Sequence, residues 1–318
     1  MKGQGYATAC IGKWHLGHHP ETLPTSNGFD SYFGIPYSND MNHPDNQGKP
    51  KVGVEGYDIL WKDPESTPSK WKTPLMENEE IIELPVDQRT ITRRYTDRAI
   101  DFITQNKDKP FFAYLPHTMP HVPLYVPDEL YDSDPKKAYV LMMEHLDAEV
   151  GRVMDTIREV GLSESTYVIF ASDNGPARGL KHHGGSVGPL RGSKATTFEG
   201  GTRVPCIVWG PGRIPADTTS DELASTLDVL PTIAALTDTP LPADSKIDGM
   251  DVSRLLVDDN ARSPRDEVLY FDGHGKLEGI RKGDWKLLIK KEKPLLFDLS
   301  KDIGEKKNLA NATPDVVK

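Results

Sequence analysis

The stretch GYATACIGKWHLG, residues 5–17, carries the strongest structural signal in the chain. Residues 7–11 form a short run of small and mostly apolar side chains that does not alternate with polar ones. Such a run is typical of a strand that is buried on both faces of a sheet. Gly12 ends the run, and Lys13 and His15 follow at once. The pattern therefore predicts a buried strand with two titratable side chains just beyond its carboxyl end.

Three further apolar runs have the same form and are also followed by polar or glycine-rich loops, at residues 111–115, 167–171 and 206–209. The segments between the runs have helical periodicity. From Thr90 onward, apolar side chains recur at helical spacing until Lys109, and a longer pattern opens at Asp134-Pro135 and stops at Gly161. Alternating strands and helices predict an α/β fold with a mostly parallel (mixed) central sheet between helices.

The last part of the chain has a different pattern. Short strand candidates follow one another at residues 268–271, 277–281, 285–289 and 295–299, and the second and third are separated by the tight turn Lys282-Gly283-Asp284. This pattern predicts a small C-terminal antiparallel sheet. We therefore expect two domains, residues 1–260 and a subdomain of residues 261–318.

Composition argues against some classes of partner. The formal charge of −10 argues against nucleic acid, and no apolar run is long enough to span a bilayer. The chain has two cysteines, Cys10 and Cys206, each in an apolar run, so they are predicted to be core thiols and not a disulfide or zinc framework.

Polar side chains gather where the predicted strands end. The carboxyl ends of parallel strands meet at one edge of a sheet, so one site is expected to contain Lys13, His15, His121, Asp173 and Asn174. Lysine and histidine can hold anions and move protons, and Asp and Asn supply the hard oxygen ligands that Ca²⁺ prefers.

Residues 5–17 closely resemble the second signature of the type I sulfatases, within the alkaline-phosphatase superfamily. The resemblance continues in the same order along the chain, through PHVP at 120–123, SDNG at 172–175 and GPLRGSKATTFEGG at 188–201. Near the end, RKGDWKL at 281–287 and LFDL at 296–299 resemble the C-terminal sheet of that family. The resemblance implies hydrolysis of the sulfate monoester of an aryl or sugar alcohol, with Ca²⁺ as the metal and Mg²⁺ as second choice.

The resemblance also implies roles for individual residues. Lys13 and Lys194 would hold sulfate oxygens, and His121 would give a proton to the leaving group. His15 would orient the nucleophile and act as a base. Asp173 and Asn174 would bind the metal. Ser38, within PYSNDM at 36–41, resembles a sulfate contact of the arylsulfatase A and galactosamine-6-sulfatase subgroup.

The chain departs from the family pattern at the nucleophile. Members carry a paired-Asp metal motif and a Cys or Ser in C-x-P-x-R ahead of the lysine–histidine signature, and that residue becomes formylglycine. Neither Cys10 nor Cys206 fits the motif, and STPSK at 66–70 ends in Lys instead of Arg and lies downstream of the signature. We therefore expect an N-terminally truncated sulfatase, inactive by itself, whose formylglycine belongs to a missing segment.

Two other functions remain open from the sequence. One is a phosphoester or phosphonate hydrolase of the same superfamily, and the other is a non-catalytic binder of sulfate or sulfated glycans. The resemblance implies a periplasmic, secreted or lysosomal full-length protein. The natural substrate and the oligomeric state cannot be derived from the sequence.

Overall fold

The computed structural model describes residues 1–41, 72–177, 179–180 and 183–317. The chain divides into two compact units. The first comprises Met1–Ser163 with Leu180–His183, and the second comprises Glu164–Gly179 with Gly184–Lys318. The boundary near residue 260 is a different division and stays a prediction.

The first unit contains a five-stranded sheet and two long helices. Its elements are β1 (Ala7–Ile11), β2 (Ser31–Gly34), β3 (Leu75–Glu77), β4 (Glu80–Glu83), α1 (Ile91–Gln105), β5 (Phe111–Tyr114) and α2 (Ala138–Glu159). The strand order is β4-β3-β2-β1-β5. Strand β1 pairs in parallel with β2 and β5, whereas β3 and β4 extend the sheet in antiparallel pairs. The mixed central sheet of the predicted fold class is confirmed.

Helix α1 covers the sheet with the face that the sequence pattern predicts. Ile91, Tyr95, Ala99 and Ile103 are buried, and they recur at four-residue spacing on one side of the helix. The helix packs against α2 and against β1 and β2. The hydrophobic core of this unit therefore lies between the parallel strands and α1.

Helix α2 begins later than predicted. The carboxylate of Asp134 accepts a hydrogen bond from the N–H of Lys136 at 3.0 Å, as an N-cap does. However, residues 135–137 form a turn, and the regular helix starts at Ala138. Because this side chain–backbone bond closes a local turn first, the helical hydrogen-bond ladder starts three residues further on.

The second unit contains two separate sheets. Its elements are β6 (Val168–Ala171), α3 (Glu199–Thr202), β7 (Cys206–Trp209), α4 (Val229–Leu236), β8 (Glu267–Phe271), β9 (Leu277–Lys282), β10 (Trp285–Lys290), β11 (Lys293–Asp298) and α5 (Pro314–Val317). Strands β8 to β11 form the predicted antiparallel sheet, in which each strand pairs with its neighbour in the chain. The turn between β9 and β10 needs a positive φ, which Gly283 supplies at 54°.

Strands β6 and β7 lie where the sequence predicts them, but the prediction that they are buried on both faces is wrong. Phe170 is 40% exposed and Ile207 is 63% exposed. Within the part of the chain that the structure describes, these strands pair antiparallel with each other and with no other strand, so apolar side chains remain in solvent. Cys206 is accordingly exposed and is not a core thiol. Cys10 is buried as predicted, and burial raises the pKa of its thiol to about 12.

Candidate active site

Backbone pairing continues beyond the carboxyl ends of the parallel strands. The N–H of Lys13 donates to the carbonyl of Pro116, 2.8 Å away, in the segment that follows β5. The N–H of His15 donates to the carbonyl of Pro36, 3.1 Å away, in the segment that follows β2. The structure thus places Lys13 and His15 at the sheet edge predicted from the sequence.

Two glycines allow these strand ends to approach one another closely. A Cβ atom on Gly34 would lie 1.8 Å from the carbonyl oxygen of Gly12. Gly12 has φ +139°, and a Cβ atom there would lie 2.1 Å from the carbonyl oxygen of Pro116. Any side chain at either position would push the strand ends apart, which explains the glycine directly before Lys13.

His15 has an uncommon backbone conformation. Its φ of +56° lies in the left-handed region, which costs a non-glycine residue roughly 1 kcal/mol or more. The side chain is exposed, and the side chain of Lys13 is half-buried. A strained backbone at a sheet edge that carries titratable side chains is consistent with a functional position.

The structure brings Ser38 and His121 together. Ser38 follows β2 and is buried, and His121 follows β5 and is half-buried. The hydroxyl Oγ of Ser38 lies 3.3 Å from Nδ1 of His121. Two residues that the sequence proposes separately, as a sulfate contact and as a proton donor, are therefore direct neighbours.

Sequence reasoning missed two residues beside His121. Asn39 is fully buried and its Oδ1 lies 3.0 Å from Nδ1 of His121. Gln88 is equally buried and accepts a hydrogen bond from Nδ2 of Asn39 at 3.0 Å. The position of Asn39 next to Ser38 could have indicated its role, whereas nothing in the sequence around Gln88 does so.

In the second unit, Asp173 and Asn174 follow β6 and adjoin the segment that carries Lys194. The N–H of Lys194 donates to the carbonyl of Pro176 at 2.9 Å, and the N–H of Gly175 donates to the carbonyl of Gly201 at 3.1 Å. These backbone bonds place the predicted metal ligands and the predicted lysine in adjoining segments.

Asp173 and Asn174 fit calcium in donor type but not in number. The carboxylate of Asp173 is exposed, and Nδ2 of Asn174 donates to the carbonyl of Gly175, which leaves Oδ1 of Asn174 as an acceptor. Ca²⁺ takes six to eight oxygen ligands. Among the described residues, no group of three or more His, Cys, Asp or Glu side chains is arranged to hold a metal. The two side chains can therefore supply only part of a calcium site.

A buried ionic network holds the segment around Lys194 to the C-terminal sheet. Nζ of Lys286 on β10 lies 2.7 Å from Glu199 and 3.1 Å from Glu305, and all three side chains are buried. Oε2 of Glu305 accepts a hydrogen bond from the N–H of Glu199, and Nη1 of Arg191 donates to the carbonyl of Glu305, both at 2.7 Å. Burial raises the pKa of the Glu305 carboxyl, and Lys286 partly offsets this effect.

The predicted site residues fall into two groups. Lys13, His15, Ser38 and His121 belong to the first compact unit, and Asp173, Asn174 and Lys194 belong to the second. That the groups form one site stays a prediction. The STPSK segment at 66–70 lies outside the described residues.

Comparison with known proteins gives consistent matches along the whole chain. The Sulfatase family model matches residues 1–239, and the model described as N-sulphoglucosamine sulphohydrolase, C-terminal, matches residues 193–316. Arylsulfatase G of Rattus norvegicus is 36% identical over 99% of this chain and 66% of its own length. Arylsulfatase A of Homo sapiens is 34% identical over 100% of this chain and 68% of its own length. The crystal structure of Ps i-CgsB in complex with k-i-k-neocarrahexaose superposes with a TM-score of 0.79 at 27% identity, covering 99% of this chain and 70% of that one.

Proposed function

The chain belongs to the sulfatase family, and from this premise we propose that the protein hydrolyses sulfate monoesters of aryl or carbohydrate alcohols. The observation that carries the proposal is the contact of Ser38 with His121 at the sheet edge that also holds Lys13. An oxyanion-binding hydroxyl, a proton carrier and a cation at one edge are what cleavage of a sulfate ester requires.

In this proposal Lys13 and Lys194 bind the substrate. Each ammonium group offers several N–H donors around a compact positive charge, which suits the anionic oxygens of a sulfuryl group. Fixed cations also stabilise the charge that moves onto the ester oxygen as the bond to sulfur breaks. Because the protein has a net charge of −10, this positive potential must be local to the site.

The two histidines transfer protons in this proposal. His121, in contact with Ser38, gives a proton to the departing alkoxide or phenoxide. His15 orients the nucleophile and accepts its proton when the enzyme–sulfate adduct collapses. His15 follows β1 and His121 follows β5, so the two side chains reach the sheet edge from different strands. They can therefore act on opposite sides of one ester bond.

The nucleophile and the metal complete the proposed site. The resemblance implies a formylglycine nucleophile, and residues 1–318 contain no C-x-P-x-R motif to provide it. A calcium ion held in part by Asp173 and Asn174 would supply positive charge toward a sulfate oxygen. We therefore propose that residues 1–318 alone bind sulfate esters without turning them over.

The comparisons support two classes of sulfate ester. Ps i-CgsB was solved with a neocarrahexaose, which favours a carbohydrate sulfate, and the arylsulfatase relatives favour aryl esters. Among the described residues no helix is long and apolar enough to cross a membrane. We propose a small-molecule or glycan substrate, and not a nucleic acid.

Calorimetry with 4-nitrophenyl sulfate tests the binding part of the proposal on this chain. We expect Lys13→Met to weaken binding at least about tenfold, because a hydrogen bond to a charged group contributes roughly 1.5–3 kcal/mol. Lys107→Met is the matched control, since Lys107 is an exposed lysine beyond the end of α1. Equal affinities for wild type and Lys13→Met would overturn the role of Lys13.

A further inference from the structure

The buried amide of Asn39 contacts the His121 ring, and the buried amide of Gln88 contacts Asn39 in turn. Nδ1 of His121 lies 3.0 Å from Oδ1 of Asn39 and 2.7 Å from the carbonyl oxygen of Val122. Asn39 in turn bonds Gln88 and the carbonyl of Pro123. Asn39 and Gln88 are 0% and 1% exposed, so solvent cannot replace these bonds.

Backbone carbonyls fix the direction of every hydrogen bond in this cluster, because a carbonyl oxygen can only accept. The carbonyl of Pro123 lies 3.1 Å from the Asn39 amide, so the atom that faces it must be the donor Nδ2. The carbonyl of Asn39 lies 3.0 Å from the Gln88 amide, so the atom that faces it must be the donor Nε2. The Oε1 atom of Gln88 is then the acceptor that meets Nδ2 of Asn39.

The same logic determines which nitrogen of His121 carries the proton. With Nδ2 of Asn39 directed at Gln88 and Pro123, its Oδ1 is the atom that faces Nδ1 of His121. Oδ1 of Asn39 and the carbonyl of Val122 are both acceptors, so Nδ1 must carry a hydrogen. In the neutral ring the lone pair therefore lies on Nε2.

We propose that Asn39 and Gln88 are positioning residues that hold His121 in the Nδ1–H tautomer, so that Nε2 is the atom that exchanges a proton with the substrate. The tautomer follows from the contacts alone, whereas its use in catalysis rests on the proposed sulfatase function. A protonated His121 keeps both Nδ1 acceptors and donates from Nε2. When the proton on Nε2 passes to the departing alkoxide oxygen, an alcohol and a neutral Nδ1–H imidazole remain.

The arrangement also assigns a direction to the Ser38 hydroxyl. Its Oγ lies 3.3 Å from Nδ1 of His121, and because Nδ1 carries a hydrogen, Oγ can only accept from it. The hydroxyl hydrogen of Ser38 therefore points away from His121. The hydroxyl can therefore donate this hydrogen to a sulfate oxygen, as the proposed substrate contact requires.

Nitrogen-15 NMR of the imidazole rings tests the tautomer directly on this chain, without any need for turnover. In the neutral ring of His121, we expect a pyrrole-type signal for Nδ1 and a pyridine-type signal for Nε2. In Asn39→Leu the two signals should move toward each other, because Nδ1 loses one of its acceptors and keeps the Val122 carbonyl and the longer contact with Oγ of Ser38. Gln88→Met, which leaves the contact of Asn39 with His121 in place, should give a smaller change in the same direction.

Asn106→Leu is the matched control. It removes a buried amide at the end of α1 that bonds the carbonyl of Phe102 and lies outside the hydrogen-bond cluster around His121. Its His121 spectrum should equal that of wild type. A wild-type spectrum with the proton on Nε2 would overturn the inference, as would Asn39→Leu and Gln88→Met spectra identical to wild type.

Turnover by a protein that also carries the proposed formylglycine segment separates this inference from the proposed function. Asn39→Leu should lower kcat toward an alkyl sulfate by roughly 10²-fold, because a poor leaving group depends on the proton donor. The loss should be much smaller toward 4-nitrophenyl sulfate, whose leaving group needs little protonation. Absence of sulfate turnover in wild type would refute the proposed function and leave the tautomer result standing. Equal losses for both esters would refute the positioning role.

Discussion

At the scale of single residues, Asp228 and Arg265 are a critical pair for the second unit. Asp228 is fully buried at the start of α4, and the guanidinium of Arg265 donates hydrogen bonds to both of its carboxylate oxygens. Burial alone would raise the pKa of Asp228, but Arg265 and the N–H groups of Met250 and Ser225 outweigh this effect and lower it. The carboxylate is therefore fully satisfied in the folded state.

We expect Asp228→Ala to reduce the free energy of unfolding by about 3–5 kcal/mol, because it leaves the Arg265 guanidinium buried without its partner. Urea denaturation followed by circular dichroism measures the change. Glu222→Gln is the control, since Glu222 pairs with Arg262, which is 88% exposed, and its loss should change little. Equal stabilities of Asp228→Ala and Glu222→Gln would contradict this account.

His117 should make the first unit sensitive to acid. Both of its ring nitrogens are buried without a hydrogen-bond partner among the described residues, and burial lowers its pKa to about 4. Glu149 raises this pKa and His145 lowers it, both by smaller amounts. The folded state disfavours the charged ring. The neutral ring of His117 therefore contributes to the free energy of unfolding above pH 6.5, and this contribution is lost as the pH falls toward 4.

The expected loss across that pH range is on the order of 3 kcal/mol, since each unit of pKa shift corresponds to roughly 1.4 kcal/mol. Urea denaturation at a series of pH values measures it. In His117→Gln the decline between pH 6.5 and 4 should be shallower by this amount. Parallel pH profiles for the two proteins would show that His117 is not the sensitive group.

At this scale the sequence predicts residue types better than contacts. The resemblance indicates Ser38 and His121 separately, because each belongs to a recognisable motif. It cannot indicate that they meet at 3.3 Å, because their contact depends on the pairing of β1 with both β2 and β5. Asn39 and Gln88 act through hydrogen-bond directions that backbone carbonyls set, and a one-dimensional pattern does not contain this information.

At the scale of elements, Lys286 joins β10 to the segment that carries Lys194. Its ammonium group is fully buried between Glu199 and Glu305 and lies 4.5 Å from the centre of the Tyr270 ring. Lys286→Met would leave two carboxylates buried with their main cation removed. We expect residues 191–202 to lose protection against hydrogen exchange, while β8 and β9 keep theirs.

Lys282→Met is the control for this experiment. Lys282 lies on the neighbouring strand β9, but its side chain is 65% exposed and pairs with the exposed carboxylates of Asp266 and Glu267. Its exchange pattern should match that of wild type. Uniform loss of protection throughout the second unit in Lys286→Met would mean that the network stabilises the unit as a whole and does not specifically hold this segment.

The elements themselves were largely predictable, because hydrophobic periodicity records which faces are buried. The spacing of Ile91, Tyr95 and Ala99 predicts the buried face of α1, and the turn at Gly283 predicts the β9–β10 hairpin. The burial of β6 and β7 was predicted wrongly. An apolar run such as residues 168–171 indicates a strand but not its neighbours, and among the described residues only β7 pairs with β6.

At the scale of the whole molecule, the proposed anion site belongs to a protein of net charge −10. The net charge of the protein therefore does not attract a sulfate ester. Binding must depend on a few fixed cations that act at short distances. The charge of the chain therefore argues against nucleic acid as a partner without arguing against a small sulfate ester. It also makes Lys13 and Lys194 the positions at which the account can be tested most directly.

The central claim is that this family member cleaves sulfate monoesters at the edge of the β2-β1-β5 sheet. Turnover of matched esters, by a protein that also carries the proposed formylglycine segment, tests this claim most directly. The measurement is kcat/KM for 4-nitrophenyl sulfate and 4-nitrophenyl phosphate, in wild type and in Lys13→Met. We expect a clear preference for the sulfate ester and a loss of kcat/KM of about 10²-fold or more in Lys13→Met. Turnover of the phosphate ester alone, or full sulfatase activity in Lys13→Met, would contradict the central claim.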